Sequence, residues 1–149
     1  PDADELLQIA VHAQHIKRWS IKRNEFETGK VGYLKWRKAL GVFHGEQTES
    51  IMLSHGFDAQ QAAQTAAIIR KEKLKTDPQA QTLEDVACLV FLTHYFAEFA
   101  LKHDEAKIIG ILQKTWRKMS AKAQQIALKL ELPDDLAALV GKALGKGLV

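Results

Sequence analysis

The chain has 149 residues, 46% apolar and 26% charged, which is the size and composition of one folded domain with a real core rather than of a disordered segment. A net charge of +3 and a pI near 9.0 are too mild to announce a nucleic-acid binder, which concentrates many Lys and Arg on one face. The single cysteine, Cys88, excludes an intramolecular disulfide and fits a reducing compartment, and no apolar stretch approaches the roughly 20 residues that cross a bilayer. A cytoplasmic protein away from membranes is expected. No basic segment followed by an apolar one opens the chain, so no signal peptide is predicted. The chain starts at Pro1 without a methionine, and a leading segment is expected to be missing.

Seven helices and no strand are predicted, in a single domain. The first runs from about Ala3 to Trp19, with Leu6, Ile9, Ala10, Ala13 and Ile16 on one stripe. A polar loop through Asn24 and Thr28 follows. The second helix, roughly Val31 to His55, ends at Gly56, which suits a left-handed cap, and Gly41 and Gly45 predict a bend or break in its middle. Asp58 and Gln61 form a capping box that starts the third helix, Ala59 to about Leu74, and Asp77-Pro78 ends it. Thr82 is predicted to cap the fourth, Leu83 to about Lys102, with Glu84 and Asp85 in its first turn. Being apolar nearly all round, this helix is predicted at the centre of a bundle, with Cys88 buried. A fifth helix covers Asp104 to Lys118 and a sixth begins after Ser120. The last restarts at Pro133 and fades at Gly145 and Gly147.

Several chemistries are absent from the sequence. It holds no zincin pattern, paired-cysteine site or phosphate loop, and no His has a Glu three residues before it, as a di-iron bundle requires. Cys88 lies in a run expected to be buried and inert.

What remains is a set of polar constellations. His12 and His15 are neighbours on the first helix, continued by Arg18 and Trp19, and could form half a metal site, an anion-contacting face or simply the surround of a core Trp. On the second helix Tyr33, Arg37 and His44 share a stripe with Leu40, more polar than a core face, which suggests either a pocket wall or an exposed face whose Arg pairs with an acid. Arg37 sits beside Tyr33 and Trp36, which offer its guanidinium aromatic surface. Asp85 enters a buried helix, and an acid there needs a partner, a metal or solvent unless it only complements the helix N-terminus. His94 and Glu98 are four apart and are expected to pair. Arg70, Lys71, Lys73 and Lys75 make a basic helix end, and Lys114, Arg117, Lys118 and Lys122 surround Trp116. Both clusters read as solvated helix ends or as phosphate contacts.

The strings Ala13-Gln14-His15-Ile16-Lys17-Arg18-Trp19, Tyr33-Leu34-Lys35-Trp36-Arg37, Thr82 to Leu92 and Lys114-Thr115-Trp116-Arg117-Lys118-Met119 resemble the bacterial and fungal domain-of-unknown-function family 4202 over nearly the whole chain. That family's members look longer at the N-terminus, and its name carries no activity. More distantly, the order of elements looks like the helical HD superfamily of metal-dependent phosphohydrolases. That likeness implies an all-α, HD-like bundle in which Gln14-His15 stands at the His-Asp pair, His44 at a later histidine and Asp85 at the closing aspartate. Gln14 then replaces a ligand His and His15 a ligand Asp.

Two functions follow as expectations. In the first, a divergent or degenerate phosphohydrolase-like domain binds a phosphorylated small molecule. Arg18, Arg37 and Tyr33 hold the phosphate, while His15, His44 and Asp85 hold a divalent metal or act as acid and base without one. In the second, a non-catalytic helical module presents its basic helix ends to RNA or an acidic protein. Convergence of Arg18, Arg37 and Arg70 inward on one cavity favours the first, and an outer basic stripe favours the second.

Overall fold

The structure is a computed structural model and describes residues 3–145. Among the described residues there are eight α-helices and no strand, as the periodicity of the sequence predicts for an all-α protein. The described residues gather into two compact units divided between Leu83 and Glu84. The prediction at Gly147 lies outside the described residues, and none of the helices is long and apolar enough to cross a membrane.

In the first unit, α1 (Glu5–Ala13) starts at Asp4, whose carboxylate accepts the Leu6 N–H at 2.7 Å. The helix stops six residues short of the predicted Trp19. Lys17 takes a left-handed conformation, φ 47°, that cannot continue a right-handed helix, and the chain turns through a short 3-10 helix, Arg18–Ser20. His15, Arg18 and Trp19 therefore do not extend the face of His12, and Trp19 is 77% exposed rather than part of the core. A second 3-10 turn, Arg23–Glu25, is followed by a loop held by Arg23, whose guanidinium donates to the carbonyls of Phe26, Glu27 and Gly29.

Helix α2 (Gly29–Ser54) runs unbroken through Gly41 and Gly45, against the expected bend. The glycines serve packing instead. A Cβ on Gly45 would lie 3.3 Å from the Ala66 carbonyl oxygen and 3.1 Å from the Arg70 guanidinium, so the missing side chain is what lets α3 (Ala59–Arg70) approach so closely. Gly56 adopts φ +89°, the left-handed cap predicted for it. The capping box of α3 forms as predicted, with the Gln61 N–H donating to Asp58 at 2.8 Å and the Asp58 N–H to Gln61 at 3.1 Å. Lys71, at φ 55°, ends α3 before the predicted Leu74. Leu7, Ala10, Ile68, Ile69 and Leu83 form one core of this unit, and Leu6, Met52 and Ala62 another.

Helix α4 (Pro78–Val90) begins five residues earlier than predicted. Pro78 occupies its first position, where a missing N–H costs nothing, and Asp77 accepts the N–H groups of Gln79 and Ala80 at 2.9 and 3.4 Å. Thr82 is consequently inside the helix, donating to the Pro78 carbonyl, and Glu84 and Asp85 stand past its first turn.

The second unit takes the end of α4 and the remaining helices. The predicted long helix to Lys102 divides at a wide π turn, Phe91–Tyr95, before α5 (Phe96–Leu101). One flank of it, through Val90, His94, Tyr95, Glu98 and the 88%-exposed Leu101, faces solvent, so it is not a helix buried on all sides. Its other flank supplies Cys88, Leu92 and Phe96 to a core shared with Ile108 and Leu112 of α6 (Glu105–Lys118). Ala123 and Ala127 of α7 (Ala121–Ala127) and Leu136 and Ala143 of α8 (Asp134–Gly145) complete that core. Cys88 is buried, as predicted.

Candidate functional site

The polar constellation that assembles is on the first unit, where the segment after α1 lies along α2. Four contacts seat it: the His44 ring on the Ile16 carbonyl at 2.7 Å, the Trp36 indole N–H on the Ile21 carbonyl at 3.0 Å, Lys17 on Gln47 at 3.3 Å, and the Arg18 guanidinium over the Trp36 ring at 4.9 Å. The left-handed turn at Lys17 makes this path possible, because a continued helix would carry Arg18 away along its own axis. The aromatic platform anticipated for Arg37 thus serves Arg18, and Tyr33 borders it with its ring centroid 5.9 Å from that of Trp36.

His44 is 2% exposed, on the buried side of α2. Its Nδ1 faces a carbonyl oxygen, which can only accept, so Nδ1 carries the proton and Nε2 keeps its lone pair. That Nε2 has no hydrogen-bond partner among the described residues. His15 stands edge-on to His44, with ring centroids 6.2 Å apart. Burial lowers the pKa of His44, and Arg18 and Arg37 add to the effect against the opposing hydrogen bond to Ile16. His15 is more exposed, yet its pKa is also lowered, by lost hydration and then by Arg18, His44, Arg37 and Lys71. Both shifts favour the neutral imidazole. Burial and Arg37 also lower the pKa of Arg18, with Tyr33 acting in the opposite sense.

Among the described residues neither Arg18 nor Arg37 forms an ion pair, whereas Arg70 is engaged by Glu72 at 2.6 Å. Of the three arginines whose convergence was to discriminate the readings, Arg18 and Arg37 act on the same two histidines and Arg70 turns to Glu72. Lys71 joins the cluster by its effect on His15, a role not legible from its place in a basic helix end.

Asp85 belongs to the second unit. Its carboxylate accepts the Ser120 backbone N–H at 2.8 Å and the Ser120 hydroxyl at 2.5 Å, so it anchors the residue that itself caps α7. Glu84, which is buried, receives Lys118 at 3.3 Å, and Trp116 packs on the core. The basic–aromatic cluster around Trp116 is therefore partly structural. Glu98 pairs with Lys102, not with His94, because the π turn shifts the register between them, and that hydrogen bond lowers the pKa of Glu98.

A metal was expected at His15, His44 and Asp85. Among the described residues no three His, Cys, Asp or Glu side chains gather to hold a metal ion. His15 and His44 would offer a divalent cation two ring nitrogens beside Arg18 and Arg37, whose positive charges oppose it.

No curated protein and no solved structure matches the chain. A family model does: the chain belongs to the family described as a domain of unknown function, DUF4202, whose model matches residues 1–140.

Proposed function

We propose that this member of the family binds a phosphorylated small molecule at the face formed by His15, Arg18, Tyr33, Arg37 and His44. The observation that carries the reading is two arginines that form no ion pair among the described residues, acting on two histidines whose pKa values are lowered first by burial and then by these arginines. Guanidinium forks suit phosphate oxygens, and Trp36 fixes the plane of one fork before any ligand arrives. The distant resemblance to HD phosphohydrolases points the same way.

A neutral imidazole beside two arginines also suits hydrolysis of a phosphoester. Water would form the new P–O bond and give its proton to His15, and the ester oxygen would leave with a proton from solvent. His44, buried and tied to Ile16, positions His15 rather than reacting itself.

The test is calorimetry with inorganic phosphate and a simple phosphomonoester at two salt concentrations. Arg37→Lys keeps the charge but loses the fork, and a lost charge-assisted hydrogen bond of roughly 1.5–3 kcal/mol corresponds to about tenfold to a hundredfold weaker binding. Lys73→Ala, at the exposed helix end, is expected to change little. If Lys73→Ala costs more than Arg37→Lys and affinity collapses with salt, the outer basic surface binds RNA or an acidic protein, and the proposal fails.

A further inference from the structure

The exposed side of α2 carries a pattern that no function above uses. Val31, Lys35, Lys38, Val42, Glu46, Glu49 and Leu53 fall within about 80° of arc at 100° per residue. The buried Leu40, His44 and Thr48 lie on the other side, and the buried Gly45 and Met52 border the stripe beyond Lys38. Val31 is 62% exposed, Leu53 47% and Val42 38%, with Leu34 at the edge of the stripe also open. Lys38 and Glu46 are exposed, and together with Glu49 they form no ion pair among the described residues. Lys35 has only an exposed 3.6 Å contact with Glu27, a kind that contributes little.

The order of these residues is antisymmetric about Val42. Four residues before it is Lys38 and four after it Glu46; seven before is Lys35 and seven after Glu49; eleven before is Val31 and eleven after Leu53. Eleven residues make just over three whole turns, so the stripe stays on one side of a straight helix over about 33 Å.

We propose that this face pairs with the same face of a second copy, antiparallel about a two-fold axis at Val42. In that arrangement Val42 meets Val42 of the other copy, Lys38 meets Glu46, Lys35 meets Glu49 and Val31 meets Leu53, each contact occurring twice. A parallel alignment would instead set Lys against Lys and Glu against Glu. A two-fold interface demands self-complementarity, which a solvated helix face has no reason to display. With few apolar residues per copy, the dimer is weak and sensitive to salt.

Sedimentation equilibrium on the intact chain, up to about 500 µM at low salt, reads the association. The wild type is expected to dimerise, and Lys38→Glu or Glu46→Lys alone to weaken this by on the order of tenfold or more, since each makes two symmetric contacts repulsive. Mixing the two single variants is expected to restore association as a heterodimer, because every contact between them is then attractive. The double variant is expected to self-associate again. A misfolded variant could not show this rescue. A wild type that stays monomeric leaves the face to a non-identical partner and overturns the proposal, as does a mixture of the single variants that fails to associate.

Discussion

Replacing Asp85 by Ala separates a structural acid from a catalytic one. In the structure the Asp85 carboxylate accepts two hydrogen bonds from Ser120, one from the backbone N–H and one from the hydroxyl that also accepts the Ala123 N–H at 3.2 Å. Both run to an ionised acceptor in a half-buried place, and hydrogen bonds of that kind contribute roughly 1.5–3 kcal/mol each. Their losses overlap because they share one residue, so Asp85→Ala is expected to destabilise the protein by about 2–4 kcal/mol. Asp85→Asn keeps one acceptor oxygen and is expected to cost about half as much. Urea unfolding followed by circular dichroism measures both, and phosphate affinity at the first unit is expected to stay near wild type. A change below about 0.5 kcal/mol in Asp85→Ala, or a gain of stability as when a strained catalytic acid is removed, refutes the structural role.

Acidification is expected to weaken the fold through the histidines. Their pKa values are lower folded than unfolded, so below pH 6.5 the unfolded chain binds more protons and stability falls with pH, levelling off below the folded pKa. The slope contributed by the buried His44 approaches at most about 1.4 kcal/mol per pH unit, and His44→Asn, which keeps a donor for Ile16, is expected to flatten the urea midpoint against pH. Gly32→Ala is expected to cost at least ~2 kcal/mol, because its Cβ would fall 1.8 Å from the Glu27 carbonyl oxygen in the loop held by Arg23. An unchanged urea midpoint for that variant would show that the loop is not held there.

What the sequence made legible was local chemistry. The Asp58–Gln61 box and the helix beginning beside Asp104 follow from side chains reaching backbone groups a few residues away, and the Gly56 cap from the positive φ that glycine tolerates. The failures are of two physical kinds. Lys17 and Lys71 adopt left-handed backbone without being Gly or Asn, so helix ends that redirect the chain carried no sequence mark. Asp77-Pro78 was read as a stop when it is a start, since proline serves equally well at the first position of a helix. The grouping of Tyr33, Arg37 and His44 was readable from helix geometry, and the addition of His15 and Arg18 depended on the turn at Lys17. Asp85 stood out as a buried-helix acid, but its partner, thirty-five residues away, could not be read from spacing.

The central claim is that the field around His15 and His44 is built for an anion. Nuclear magnetic resonance of the imidazole signals, titrated with pH in the absence and presence of inorganic phosphate, measures that field directly. Without phosphate both histidines are expected to titrate below the ordinary value, because burial and the arginines disfavour their charged forms. Saturating phosphate should neutralise Arg18 and Arg37 and move the His15 pKa upward, with a smaller rise for His44, and Arg37→Lys should blunt both rises. Histidines whose pKa values do not move with phosphate would contradict the account.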